Sequence, residues 1–560
     1  MARRRFHLAL AATLLAGAWP AGAAQPLLLG GDERLLVLAP HPDDETLAAG
    51  GLIQEAIGLD VPVRVCFFTM GDNNEIAFLF TRRHPVLMPG VTRSSGMLRQ
   101  NEALAACTQL GLSTNDVVFL GYPDSGTLDI WNHHWRAVPP YRSSLTRATA
   151  VPYPRALTPG SAYAGEDILD DLSEVIRDFA PTHIVVPHPA DHNVDHRALY
   201  LFARVALWEA QDELPAPGIL AAPVHFTQWP EPRQYQPMRP AAPPYFLDEG
   251  VEWVEMVLAP FQVSNKLAAL RRHHSQFLHS SAYLQSFLRK SELFGDLPDI
   301  ALPGGAGSAE IGETDESQFR SDKELFQSLS QESGQWNDIA GQNAAEASSL
   351  DGRDNDFESR SISGDGTRLT LSFRFRKPVE APASLSVRLF GYRAGTPFGD
   401  MPKIEIELST DRILSVRDLD ARLPEGSVEQ IPGTAVEIAV RVPFRLLGNP
   451  EKIFIGAKLS QRTLPIDWVP WRVLDLSGAA LPMTAVPPPK AEPSATTPAP
   501  KTAPVQEMAP PAAKPPPPPP PPAVDGRTEP PGPPPALAPR VNLPRQSIPE
   551  KTEANEPVLW

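Results

Sequence analysis

A chain of 560 residues with 42% hydrophobic content is too long for a single core, so two or more folded units are expected. Its formal charge of −16 argues against nucleic acid or an anionic membrane surface as the main partner, because both require a basic face. Only two cysteines are present, Cys66 and Cys107, and each falls in an apolar stretch that suits a buried structural thiol.

The chain begins with the pattern of an export signal. Arg3-Arg4-Arg5 is basic, Leu8 to Trp19 is apolar, and Ala21-Gly22-Ala23-Ala24 supplies small residues for cleavage. The apolar run falls short of the roughly 20 residues that span a bilayer. Residues 1–24 therefore read as a signal peptide, which places the mature chain in the periplasm or outside the cell with no transmembrane span.

Residues 25–294 alternate strand and helix. Leu35-Leu36-Val37-Leu38-Ala39 reads as a strand buried on both faces, running into Pro40-His41-Pro42-Asp43-Asp44-Glu45-Thr46 and then a helix. Acids at a buried strand end are costly without a cation or hydrogen bonds. A second strand, Val61 to Thr69, ends in Met70-Gly71-Asp72-Asn73. Met97 to Leu110 reads as a helix stopped by Gly111, and Val117 to Leu120 as a third strand ending in Gly121-Tyr122-Pro123-Asp124-Ser125-Gly126. Ile168, Leu172, Val175, Ile176 and Phe179 mark an amphipathic helix. The strand Thr182 to Pro187 leads into His188-Pro189-Ala190-Asp191-His192-Asn193-Val194-Asp195-His196. Lys266 to Leu288 reads as one helix with His273, His274 and His279 on its surface.

This alternation implies an α/β fold of βαβ units with a mainly parallel sheet. Each polar cluster follows a strand, where open α/β sheets hold ligands. No GxGxxG follows the first strand, which disfavours dinucleotide binding.

Residues 295–345 turn to Gly, Ser, Asp, Glu and Gln and read as a linker, with a short helix near Lys323 to Leu329. Within 346–480 the period becomes two, as in Leu369, Leu371, Phe373 and Phe375, and several such strands without helices predict an all-β sandwich domain. Its acidic lead-in, Asp351 to Asp356, faintly resembles the start of some carbohydrate-binding modules, while Trp468 and Trp471 read as core before they read as a ligand platform. Residues 481–560 are a disordered Pro- and Ala-rich tail. The run Pro515 to Pro522 suits a polyproline II spacer, with recognition by an unknown partner as the less favoured reading.

The chemistry concentrates in two loops. His41 and Asp44 sit three apart after one strand, and His196 follows another. Two imidazoles and a carboxylate leave one tetrahedral zinc position open for water, which is the pattern of a catalytic rather than a structural zinc. Asp43, adjacent but not required as a ligand, is free to accept a proton.

Ala39-Pro40-His41-Pro42-Asp43-Asp44-Glu45, together with Asp195-His196-Arg197-Ala198, resembles the PIG-L/LmbE-like family of zinc-dependent N-acetylglucosamine deacetylases. Arg99-x-x-Glu102, Gly121 to Gly126, and Lys266 to Ala269 with His274-Ser275-Gln276 fit further landmarks of that family. The resemblance implies a Rossmann-like fold, with zinc on His41, Asp44 and His196 and Asp43 as general base. It implies that Arg99 and Asp124 hold the sugar and that Asp195 orients the site. Many members carry His-Pro-Asp-His where this chain has Asn193-Val194-Asp195-His196. Asn193 can donate a hydrogen bond to an oxyanion but cannot carry a proton. His188 and His192 flank it and read as loop histidines beside the site.

Two readings of function follow. The first is an exported zinc-dependent hydrolase that deacetylates an N-acetylated amino sugar in a cell-envelope or extracellular glycan. The second is a secreted glycan-binding protein with an inactive or weakly active deacetylase-like domain. A hydrolase of a non-sugar amide is a further alternative.

Overall fold

The computed structural model describes residues 24–73, 89–226, 229–244, 247, 250–311, 357–379, 383–461 and 464–477. The export signal before residue 24, the short helix near Lys323, the acidic lead-in before Phe357 and the Pro-rich tail lie outside the described residues.

Five strands carry the first half of the chain: β1 (Leu35–Ala39), β2 (Val63–Thr69), β3 (Val117–Tyr122), β4 (His183–Pro187) and β5 (Gly218–Ala222). They pair in parallel in the order β3-β2-β1-β4-β5. A parallel sheet must be covered on both faces, and every residue of β1 is buried. The covering helices are α1 (Asp44–Gly58), α2 (Pro89–Leu110), α3 (Thr127–His133), α4 (Gly165–Phe179) and α5 (Val194–Glu209). The order of strands reverses at β1, which has β2 on one side and β4 on the other. A crevice therefore opens at the carboxyl ends of β1 and β4. Both polar loops sit there.

Two boundaries differ from the sequence reading. Helix α2 starts at Pro89 rather than Met97, because Pro-Gly-Val-Thr-Arg-Ser-Ser-Gly has no apolar period to announce a helix. The single helix expected from Lys266 to Leu288 is two, α6 (Pro260–Leu270) and α7 (His274–Leu284), with Arg271 to His273 between them. The break is anchored by Glu102, whose carboxylate accepts the Ser275 backbone N–H at 3.0 Å and the Ser275 hydroxyl at 2.6 Å. That satisfies a donor at the start of α7 that the helix itself cannot. A small sheet, β6 (Val254–Val257) antiparallel to β7 (Ser291–Phe294), closes this half.

The second half is β-rich. It comprises β8 (Ile300–Ala301), β9 (Ala306–Glu310), β10 (Phe357–Asp365), β11 (Arg368–Phe375), β12 (Ala383–Tyr392), β13 (Lys403–Leu408), β14 (Ile413–Asp418), β15 (Ala421–Arg422), β16 (Glu429–Ile431), β17 (Glu437–Pro443), β18 (Lys452–Gln461) and β19 (Leu464–Asp475). One sheet runs β9-β10-β11-β17-β16 and the other β15-β14-β13-β12-β18-β19-β8. Side chains from both sheets, including Leu371, Phe373, Val387, Ile404 and Val440, share one apolar core. The stretch read as linker thus contributes two strands, β8 and β9, before it leaves the described residues. Their brevity and small residues hide the pattern.

The larger sheet is buried on both faces. Leu389, Ile453, Ile455 and Leu474 point into the β core, whereas their neighbours Phe390, Phe454 and Val473 join the core of the α/β half. At this joint the ring of Trp131 on α3 lies 5.0 Å from Phe202, 5.7 Å from Phe390, 5.4 Å from Phe398 and 5.3 Å from Phe454, centroid to centroid. Lys403 places its ammonium 4.0 Å over Phe398 and 4.6 Å over Trp135, and donates to the Met401 carbonyl at 2.7 Å. Burial pulls its pKa down to about 7. Trp468 and Trp471 are buried, with the Arg197 guanidinium 4.9 Å over the Trp468 ring. Both cysteines are buried free thiols.

Candidate metal centre and active site

The first loop leaves β1 through Pro40, whose carbonyl accepts the Thr69 backbone N–H at 3.0 Å and so ties it to β2. His41 then turns back on Asp44. Its backbone N–H donates to Asp44 Oδ2 at 3.0 Å, and its Nδ1 lies 3.1 Å from the same oxygen. The second loop leaves β4 and enters α5 through Asn193, whose side-chain oxygen accepts the Asp195 N–H at 2.8 Å. Asn193 is therefore the N-cap of the helix that presents His196.

The three sequence-predicted ligands converge. His41, Asp44 and His196 are all buried, and each offers a donor atom within 4.8 Å of the other two. His196 Nε2 is 3.1 Å from Asp44 Oδ2, the oxygen that His41 Nδ1 also approaches at 3.1 Å. Two imidazoles and a carboxylate converging on one buried point are a donor set that suits zinc. The far ring nitrogens also fit. His41 Nε2 faces Asp195 Oδ2 at 3.1 Å, and His196 Nδ1 faces Asp191 Oδ2 at 3.0 Å. Metal-bound histidines are oriented in this way by carboxylates. A second grouping, His41 with Asp124 and Asp195, shares the first imidazole. Asp195 is already saturated there, because Ser125 N–H, Thr127 N–H and the Thr127 hydroxyl all donate to it.

The electrostatics ask for positive charge. Burial resists charge on His196, but Asp191 and Asp44 prevail and raise its pKa to about 9. Asp44 is likewise opposed by burial, yet His196 and His41 hold it well below the usual carboxylate range. A divalent cation would supply what the imidazoles otherwise supply by protonation.

Asp43 sits between two restraints. Its backbone φ is +130°, a conformation a non-glycine residue adopts at a cost of about 1–3 kcal/mol and only when its surroundings impose it. Burial raises its pKa to about 6 against the opposing pull of Arg99, whose guanidinium is 3.5 Å away.

The remaining predicted residues divide. Asp124 lies at the site, with Oδ1 3.6 Å from His41 Nε2 and Oδ2 accepting the Asn73 N–H at 2.9 Å. Arg99 is buried, and its two terminal nitrogens donate to the Gly71 carbonyl at 2.8 Å and the Pro42 carbonyl at 2.7 Å. It clamps the loops after β1 and β2 with two of its five N–H groups. Asn193 spends its carboxamide oxygen on the helix cap. Asp195, expected among the catalytic residues, is fully buried and bonded to His41 and the 125–127 turn, a bracing position.

His188 is a core histidine stacked on Trp253, its pKa lowered to about 3 by burial. His192 is buried against Phe226. His273, expected on a helix surface, is instead fully buried, with Nε2 2.8 Å from Glu45 Oε1, while His274 is exposed and the side chain of His279 lies outside the description. The break between α6 and α7 turns His273 inward.

Sequence reasoning missed Asp191, His225 and Glu45. Asp191 sat in the right loop, and a carboxylate near a metal-binding histidine was the available signal. His225 carried no local signal. It follows β5, and its ring lies 4.7 Å from His196 and stacks on Tyr283.

Residues 36–207 match the family model described as PIG-L, GlcNAc-PI de-N-acetylase. The chain is 33% identical over 171 residues to 1D-myo-inositol 2-acetamido-2-deoxy-alpha-D-glucopyranoside deacetylase 1 of Saccharopolyspora erythraea, covering 29% of this chain and 48% of that protein. It is 28% identical over 214 residues to the corresponding deacetylase of Mycobacterium sp. strain KMS, covering 38% and 57%. The chain spans about half the length of the curated relatives it matches. Among solved structures, the N,N'-diacetylchitobiose deacetylase of Pyrococcus horikoshii aligns at 17% identity and a TM-score of 0.30, over 47% of this chain and 82% of that one. With the paired acid–histidine loops in place at the crevice of a parallel sheet, residues 36–207 are a PIG-L family domain.

Proposed function

We propose that this protein is an exported, zinc-dependent hydrolase that removes acetyl from an N-acetylated amino sugar, within a cell-envelope or extracellular glycan. The observation that carries the reading is the convergence of His41, Asp44 and His196 beside Asp43. The amino-sugar class is supported by the match to the de-N-acetylase family model and by the printed substrates of the relatives. Export is supported by the basic, apolar and small-residue pattern of residues 1–24. Export also puts glycans, rather than intracellular precursors, within reach.

His41, Asp44 and His196 would hold the zinc, which when bound would supply Lewis acidity toward water and the amide carbonyl. Asp43 takes the proton of the attacking water and returns it to the departing amine as the C–N bond breaks, leaving acetate and a free amino sugar. Asp195 and Asp191 fix the two imidazoles. Asn193 has its NH2 group left to donate to the developing oxyanion, its oxygen being committed to the helix. Asp124, at the rim of the site, accepts a sugar hydroxyl, and Arg99 holds the loops that shape the wall.

The test is acetate release from chitooligosaccharides, peptidoglycan fragments and exopolysaccharide, with and without chelator. The zinc-loaded chain should release acetate from at least one, and Asp43→Ala should abolish release while keeping the metal. Glycan retention without acetate would instead favour a binding protein. Release from a non-sugar amide alone would overturn the substrate class.

A further inference from the structure

Glu45 and His273 form a buried pair that the reaction as described does not use. Both side chains are fully buried, and His273 Nε2 lies 2.8 Å from Glu45 Oε1. Glu45 Oε2, the other oxygen of the same carboxylate, accepts the backbone N–H of Asp43 at 3.0 Å. Asp43 is the residue held at φ +130°. On its other side, Arg99 donates to the Pro42 carbonyl at 2.7 Å, so the peptide that carries Asp43 is pinned from both directions.

The pin comes from far along the chain. His273 lies at the break between α6 and α7, and that break is fixed by Glu102 of α2 through the Ser275 N–H and hydroxyl. Arg99 and Glu102 are less than one helical turn apart on α2. One helix thus holds both ends of a device that grips Asp43: Arg99 directly, and Glu102 by way of α7 and His273. A residue in an unfavourable backbone conformation relaxes when its restraints are removed.

We infer that His273 is a positioning residue that acts through Glu45 to hold the Asp43 backbone, and so its carboxylate, in the geometry proton transfer requires. The inference rests on the reading of Asp43 as the proton carrier. It makes His273, rather than its exposed neighbour His274, the functional histidine of the α6–α7 segment.

The test compares His273→Ala, His273→Gln and Glu45→Met in the full, zinc-loaded chain. Gln places an N–H donor near the position of Nε2, so it should restore the bond to Glu45. His273→Ala should lower kcat by about 10- to 100-fold, as a displaced catalytic group does, with KM and bound zinc unchanged. His273→Gln should return to within about threefold of the wild type. Glu45→Met, which keeps the length of the side chain but removes both oxygens, should reproduce the loss and stands in if the alanine variant does not fold. Amide hydrogen exchange supplies a readout free of turnover: exchange at the Asp43 amide should rise at least about tenfold in His273→Ala and stay protected in His273→Gln. Equal loss in both His273 variants, a loss that tracks zinc content, or unchanged exchange at Asp43 overturns the inference. The exchange comparison decides it even where no acetate is released and the proposed function fails.

Discussion

The two halves of the molecule bury different things. In the α/β half, buried polar side chains crowd the ends of β1 and β4: His41, Asp43, Asp44, Glu45, Asp191, Asp195 and His196. In the β-rich half, the buried polar residues described are few and scattered, among them Arg360, Lys403, Asp467 and Arg472. The apolar joint between the halves is continuous with the α/β core, which takes in Phe390, Phe398, Phe454, Trp471 and Val473. Burying charge is expensive wherever it occurs, so its concentration at one crevice marks where the chain has exchanged stability for chemistry. Phe390, Phe398, Phe454 and Trp471 of the β-rich half pack against Trp131 of α3, and Phe454 also against Trp208 of α5, while Phe357, Phe373 and Phe375 stay in its own core.

Predictions that break this contrast begin at the site. Replacing Asp44 or His196 by Ala should weaken zinc binding so that metal is held only in excess zinc, and should reduce acetate release below detection, measured by metal analysis and activity on the same sample. Asp43→Asn should keep the zinc yet lower kcat by roughly 10²- to 10⁴-fold, the usual range for a proton-transfer group.

At the joint, Trp131→Ala should cost about 3–5 kcal/mol in denaturant unfolding, as large-to-small changes in tight cores do. A chain ending at residue 294 should be insoluble or molten, since Trp131 would lose Phe390, Phe398 and Phe454, and Trp135 would lose Phe398. A stable, zinc-binding fragment would show that the halves are independent.

Asp191→Asn should weaken zinc binding by about 10- to 100-fold without loss of fold, because it loosens the orientation of His196. A competition titration with a chelating dye measures this.

A pH dependence follows from Lys403. Its folded pKa, about 7, lies below its ordinary value of 10.5, so the unfolded chain binds the proton more tightly. Stability from this group therefore rises as pH climbs from about 7 to 10 and is flat below 7. The difference in melting temperature between wild type and Lys403→Met should vary over that window and level off beneath it.

How much of this the amino-acid order revealed depends on range. The four aliphatic residues of β1 and the three of β4 announced a parallel sheet, and the loops behind them announced the ligands, because strand, turn and ligand are contiguous. The first two turns of α2 were illegible because Pro89 to Gly96 has no apolar period. His273 and His274 are adjacent, and only the break between α6 and α7, set by distant Glu102, decides which turns inward. The runs Ile453-Phe454-Ile455 and Trp471-Arg472-Val473-Leu474 read simply as strands. Their loss of alternation reflects a sheet buried on both faces, and nothing local says that the second face meets α3. Asn193 reads from the sequence as an oxyanion donor, and only the fold shows that its oxygen also caps α5.

The central claim is that two imidazoles and one carboxylate from these loops hold a catalytic zinc. X-ray absorption at the zinc edge on the zinc-loaded full chain tests it most directly. The account predicts one zinc per chain with two nitrogen ligands and one carboxylate oxygen at about 2.0–2.2 Å, and a shell that loses one imidazole in His196→Ala. Substoichiometric metal, or a shell unchanged by that substitution, would contradict it.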